Sequence, residues 1–348
     1  MSEQTQSNGV PAGSAVPEQQ QQLAQVKLLV EQLNASLWAH AALVGAMEAG
    51  ILDLLLQTMS AAALAARTGL APSLLERMLD VLVAFGLVRR EGDAYVAVDG
   101  LVPVLRAPVA REAYFAVWRS QSLQSFSFVQ QARDHTLAPG WHFTDPAILH
   151  AQGNGGIILG QIIADQLVPL LPGLRDRLAA PTATFLDVGT GVGRIAIEMC
   201  RRFPQLRVVG IDTQEAPLVQ AKRAVAVAGL ADRIELRRQS VEELSDRDAF
   251  DLAWLPQFFL SGEVFAQGLH TVYEALRPGG WLLLASGARD GSDLAAAVSR
   301  LQDTLLGGDA RTAEQVAALT RQAGYVPVQI LPTPPGEPLT GLVAQRPM

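Results

Sequence analysis

The residues best placed to do chemistry stand in one short run, Asp187-Val188-Gly189-Thr190-Gly191-Val192-Gly193-Arg194, and a second acid, Asp212, follows 25 positions after the first (212 minus 187). Glycine at alternate positions removes every Cβ there, so the backbone can turn sharply and a ligand can lie directly on it. Such a turn needs rigid elements on both sides. The apolar run Thr184-Phe185-Leu186 predicts a buried strand before it. The pairs Ile195 with Met199 and Ala196 with Cys200, each four apart, predict a helix after it. At the carboxyl end of a strand in a doubly wound sheet, this turn is where nucleotide-like ligands bind.

The residue types narrow the ligand. A dinucleotide fingerprint needs GxGxxG, whose last glycine lets helix and strand pack closely, and here that place holds Arg194. A carboxylate at Asp187 would repel a pyrophosphate but would receive an amino group. A phosphate-cradling P-loop is excluded because no Gly-Lys-Ser/Thr follows. Val208-Val209-Gly210-Ile211-Asp212 reads as a second strand ending in an acid that can take both hydroxyls of a ribose. Together these residues suit a ribose-bearing ligand with a zwitterionic, phosphate-free tail, and S-adenosylmethionine is such a ligand.

This half of the chain resembles the class I S-adenosylmethionine-dependent methyltransferases. The resemblance continues through a third strand, Arg233-Ile234-Glu235-Leu236, and a fourth, Phe250-Asp251-Leu252-Ala253-Trp254-Leu255. It extends to Leu276-Arg277-Pro278-Gly279-Gly280 leading into a fifth, Trp281 to Ala285. Helices are expected near 292 to 305 and 312 to 323. Two strands, Tyr325 to Ile330 and Thr340 to Ala344, would complete seven. The resemblance implies that Gly189, Gly191 and Gly193 lie against the cofactor, with Asp187 near its methionyl end and Asp212 on the ribose. Thr213 would flank the adenine, Ser240 and Val241 would stand after the third strand where the family often has an acid for the adenine amino group, and Leu255 and Gln257 would close the pocket.

Toward the N-terminus, residues 1 to 22 are rich in Gln, Ser, Gly and Pro and read as a disordered tail. From Leu23 to Leu56 apolar residues recur at helical spacing with few charges, through Val26, Leu29, Val30, Leu33, Leu37 and Trp38, so this helix needs a partner surface. Ser60 caps a short Ala-rich helix, Pro72-Ser73 opens another that ends near Gly86, and Leu87 to Val96 alternates as a hairpin. The order is that of a winged helix. Charge argues against DNA: Lys27, Arg67, Arg77, Arg89 and Arg90 stand against eight acids between residues 25 and 100.

A winged helix followed by a methyltransferase fold resembles the dimeric small-molecule O-methyltransferases. It implies a homodimer formed through the N-terminal part. The fold class expected is therefore α/β, a Rossmann-like seven-stranded domain at 181–348 behind an all-α, winged-helix dimerisation domain at 23–100. Residues 101–180 would form a helical linker and substrate lid. Aromatics gather there, and Trp118 and Trp141 are candidates to line a planar, apolar acceptor. The segments Trp141 to Asp145 and His150 to Gly156, the latter read as a loop, interrupt apolar surroundings with polar groups and glycines.

In that family a His after the fourth strand takes the proton from a neutral hydroxyl. Its place falls on Phe258 here, flanked by Gln257 and Phe259, so Phe258 and Phe259 are expected to face the substrate and no base stands there. Three readings follow: an acceptor that needs no protein base (an amine, an aromatic nitrogen, an activated carbon or an acidic phenol), a base supplied by His142 or His150, or use of the cofactor for rearrangement or decarboxylation. A binding protein that kept the pocket and lost catalysis is the reading from another class. His270 reads as structural, and Cys200 as a core filler.

Composition sets the remaining bounds. A net charge of −7 argues against nucleic acid, the single cysteine cannot form an intramolecular disulfide, and no segment reads as a membrane span or export signal, so a cytoplasmic protein is expected. The five His residues are scattered and no ligand spacing predicts a metal.

Overall fold

In a computed structural model, residues 15–334 and 339–348 are described. The chain divides into two compact units, the first ending at Ala107 and the second beginning at Pro108.

The first unit opens with α1 (Ala15–Glu48) and α2 (Ile51–Leu54). Residues 15–22, expected in the tail, are helical instead, and 1–14 lie outside the described residues. Gln, Glu and Ala are good helix formers, so Gln-rich composition continued the helix. There follow β1 (Met59–Ser60), α3 (Ala61–Thr68), α4 (Pro72–Phe85), β2 (Val88–Glu91), β3 (Ala94–Ala97) and α5 (Val102–Arg106). Ser60 caps α3 by accepting the Ala63 amide at 3.2 Å, and Gly69 and Gly86 end α3 and α4 with positive φ. The hairpin pairs β2 with β3, and β1 completes a three-stranded antiparallel sheet. The unit extends through α5, past the expected boundary at 100. Leu29, Leu33, Leu37 and Trp38 on α1 are exposed.

The second unit begins with α6 (Pro108–Arg133) and α7 (Pro146–Ile162). The chain continues through α8 (Leu174–Ala179), β4 (Thr184–Val188), α9 (Arg194–Arg202), β5 (Arg207–Asp212), α10 (Glu215–Val227), β6 (Ile234–Arg238) and β7 (Phe250–Pro256). It closes with α11 (Gly262–Ala275), β8 (Leu276–Ser286), α12 (Leu294–Leu306), α13 (Ala313–Gln322), β9 (Val328–Ile330) and β10 (Thr340–Gln345). The seven strands lie in the order β6-β5-β4-β7-β8-β10-β9, parallel except for β10, which runs antiparallel to both neighbours. Two apolar layers cover the sheet. One gathers Phe185, Ile197, Met199 and Trp254, the other Leu186, Leu255, Phe265 and Leu282. From β4 the chain winds outward to β6 and then crosses back to β7, so the strand order reverses beside β4 and opens a crevice at its carboxyl end.

The stretch His150 to Gly156, expected as a loop, is helical and lies within α7. Its glycines serve packing. A Cβ on Gly153 would lie 2.1 Å from Val192 Cγ2 in the glycine turn, and one on Gly160 2.7 Å from Glu198 Cβ on α9, so α7 packs against both with no room for a side chain at either position. Tertiary contact overrides the weak helix propensity of glycine.

Candidate active site

The turn after β4 is built as its sequence requires. Gly189, Gly191 and Gly193 take φ of 66°, 55° and 79°, a region costly for other residues. Gly193 immediately precedes α9. Asp187 is fully buried; its Oδ2 accepts the Thr190 hydroxyl at 2.7 Å, while its Oδ1 has no hydrogen-bond partner. Burial raises its pKa from 3.8 to about 7, opposed by the Thr190 hydroxyl, helped by the charge of Asp212 and opposed by the Ala196 amide. Gly210 on β5 leaves room for Thr190, since a Cβ there would lie 2.8 Å from its Oγ1.

Asp212, at the tip of β5, accepts the amide of Gly191 on Oδ2 at 3.0 Å and that of Gln214 on Oδ1 at 2.9 Å. Burial raises its pKa against the pull of those amides. The two acids thus stand on adjacent strand tips, bridged by the glycine turn.

Other expected cofactor residues are placed unevenly. Thr213 is exposed and its carbonyl accepts Arg238 Nε at 3.3 Å. Ser240 caps the short turn Val241–Glu243. Val241 and Leu255 are buried, both against the position of Gly268, so their side chains serve the core. Gln257 is buried, with its Nε2 donating to Asp309 Oδ1 at 3.0 Å and its Oε1 unpaired.

Of the expected acceptor-lining residues, three come together. Phe258 and Phe259, in the turn after β7, have ring centroids 4.7 Å apart, and Trp141 meets Phe259 edge-on at 5.7 Å. Trp118 stacks instead with Tyr114 and Phe115 on α6. Neither candidate base joins the aromatic group through a hydrogen bond. The exposed His142 donates through Nε2 to the carbonyl of Pro139 at 2.8 Å, within its own loop. His150 Nε2 lies 3.0 Å from the Asn154 amide nitrogen and accepts from it. Burial and the Arg194 and Arg119 charges lower the His150 pKa, against Glu112.

Four residues escaped sequence reasoning: Thr190 on Asp187, Gln214 beside Asp212, Asn154 on α7, and Asp303 on α12. Asn154 gave no signal of its own, since it shares α7 with Gln152 and Gln161; only its burial, at 2% exposed, sets it apart. Asp303 accepts the Ala310 amide at 2.7 Å; desolvation raises its pKa. Among the described residues no cluster of His, Cys, Asp or Glu could hold a metal ion.

The methyltransferase domain family matches residues 185–280, and the O-methyltransferase dimerisation domain matches residues 31–100. Over 171 residues the chain is 32% identical to the demethylmenaquinone methyltransferase of Deinococcus radiodurans, covering 48% of this chain and 68% of that protein. The chain belongs to the class I S-adenosylmethionine-dependent methyltransferases. This methyltransferase is also 31% identical over 107 residues to a ubiquinone/menaquinone biosynthesis C-methyltransferase of Geotalea daltonii, across 30% of this chain and 46% of that one, less than half its length. Its fold is that of human N-acetylserotonin methyltransferase, solved in complex with S-adenosylmethionine, with a TM-score of 0.66 at 19% identity over 93% of this chain and 98% of that chain.

The residues present fit the family's cofactor. A buried carboxylate with an unpaired oxygen asks for a cationic or donor group, and Asp187 provides one where the methionyl ammonium would be received. Asp212 offers a carboxylate for ribose hydroxyls beside glycines with no side chain to obstruct a ligand.

Proposed function

We propose that the protein transfers the activated methyl group of S-adenosylmethionine to a small, largely apolar aromatic or heteroaromatic metabolite, at nitrogen, carbon or an already acidic oxygen. The single observation that carries the acceptor class is the turn after β7, where Phe258 and Phe259 stack with Trp141 edge-on and no histidine hydrogen-bonds into the group. Aromatic walls favour flat apolar ligands through area and edge-to-face geometry. Such a wall cannot accept a proton, so an acceptor that is already nucleophilic suits it.

When bound, S-adenosylmethionine supplies an electrophilic methyl on a sulfonium. Asp187 receives the methionyl ammonium and Asp212 the ribose hydroxyls, and the glycine turn lets the ligand lie on the backbone. The aromatic wall orients the acceptor and excludes water. Orientation alone can supply effective molarities on the order of 10⁵ to 10⁸ M. The C-methylating relative shows that the family includes proteins with carbon acceptors.

The N-terminal unit supports a homodimer: the O-methyltransferase dimerisation domain matches there and α1 presents Leu29, Leu33, Leu37 and Trp38 outward. We read its helices and three-stranded sheet as an acidic winged helix that does not bind DNA, because Arg77 on α4 is engaged by Asp80 at 2.6 Å and flanked by Glu76. No described helix is long and apolar enough to cross a membrane, and Cys200 is a buried free thiol; both fit work in the cytoplasm.

The test is mass spectrometry of products after incubation with methyl-labelled cofactor and a panel of phenols, N-heteroaromatics and carbon nucleophiles. Label in a nitrogen or carbon product, undiminished in His142→Ala and His150→Ala, is the expected result. Label confined to neutral hydroxyls and lost with either histidine would overturn the base-free acceptor. No label despite tight cofactor binding would overturn methyl transfer in favour of repurposed chemistry or a binding protein.

A further inference from the structure

Between α6 and α7 the chain crosses open surface from Asp134 to Asp145, and most of its residues are exposed. A segment with so little buried area is held by few contacts, so each one matters. Three moorings are visible. The Gly140 amide donates to the carbonyl of Thr304 on α12 at 3.2 Å, the Trp141 ring meets Phe259, and the Trp141 carbonyl accepts from Gln214 Nε2. The third mooring comes from 73 positions away in the chain.

Gln214 is tied at its other end as well. Its backbone amide donates to Oδ1 of Asp212 at 2.9 Å, and Oδ2 of the same carboxylate holds the amide of Gly191. One residue therefore joins the carboxylate expected to receive the ribose to the backbone that carries Trp141. We propose that Gln214 is a positioning residue that couples the cofactor pocket to the acceptor wall, seating Trp141 against Phe259 so that the strap from 134 to 145 tightens once the cofactor is in place. Cofactor binds first, and the acceptor then meets a formed wall. The coupling rests on the cofactor pocket and aromatic acceptor site assigned above.

Hydrogen exchange of the full-length protein, followed by mass spectrometry on peptides spanning 136 to 145, tests this with and without S-adenosylhomocysteine as the probe. The wild type should show slower exchange in the strap when the probe is bound. Gln214→Ala should speed strap exchange about fivefold, the factor one net hydrogen bond represents, and remove its response to the probe. Gln214→Glu keeps the side-chain volume but turns an acceptor toward the Trp141 carbonyl, and should act likewise. Probe affinity by calorimetry should move less than about threefold in both. A strap that ignores the probe in the wild type, or responds equally in both variants, would overturn the coupling. Exchange needs no turnover, so a Gln214-dependent response without any methylated product would keep the coupling and reject the methyl-transfer reading instead. With an acceptor in hand, KM for it should rise in Gln214→Ala while kcat holds.

Discussion

Arg194 donates through Nε to Oδ1 of Asn154 at 2.9 Å, tying the first residue of α9, just past the glycine turn, to the middle of α7. Asn154 Nδ2 donates onward to His150, and Glu112 Oε1 lies 3.5 Å from it. A neutral His150 accepting from Asn154 completes a chain in which each group has its partner.

Asn154→Ala should therefore cost about 1 to 3 kcal/mol, the range for leaving a buried group unsatisfied, read as a drop in thermal midpoint. The same network has a pH signature. The folded pKa of His150 lies below its unfolded 6.5, so the unfolded chain binds the extra proton and stability falls as pH drops through 6.5. His150→Gln, which retains an acceptor, should flatten that slope in denaturant midpoints measured between pH 7.5 and roughly 5.

Gly160→Ala offers a test of sign. In an unconstrained helix the change would stabilise by roughly 1 kcal/mol. Here the added Cβ would lie 2.7 Å from Glu198 Cβ, and overpacking should turn the gain into a loss of about 1 to 3 kcal/mol in chemical denaturation. Gly153→Ala meets Val192, inside the glycine turn itself, and should also weaken cofactor affinity; calorimetry on both variants separates the two effects.

Asp187 predicts proton release on cofactor binding. The unfolded carboxyl gives up its proton near 3.8 and the folded, ligand-free one near 7, so between these values the folded state keeps the proton and ligand-free stability falls as pH rises. A bound ammonium would favour the carboxylate. Below pH 7 the cofactor should then expel up to one proton and bind up to about tenfold more weakly per pH unit. Calorimetry in two buffers of different ionisation heat reads the proton directly, and Asp187→Asn should abolish the difference between them.

The parallel strands and the carboxylates at their tips were legible because β4, β5 and β7 are short apolar runs with turn formers after them. The helix at His150 to Gly156 was not, since its glycines are explained by distant neighbours: Gly153 by Val192 in the glycine turn, Gly155 by Val117 on α6 and Gly156 by α9. Gln214 and Asn154 show the same limit at the site. Each is an ordinary amide in sequence, and its meaning lies in a partner 73 or 40 positions away. His142 and His150 were read from residue type and polar surroundings in sequence, which cannot tell that Nε2 of each ring is engaged by a neighbour.

The strand β10 pairs on one side with β8 and on the other with β9, although it follows both in the chain. During synthesis, then, β8 waits as a bare edge, with its hydrogen-bonding groups open to any passing strand, until residues near 345 have emerged. The parallel strands β4 to β8 can associate early, but the sheet closes only once β10 has emerged. Expression at low temperature or with a holding chaperone should matter most in that interval, and a reporter fused after β10 must leave room for it to thread between its neighbours.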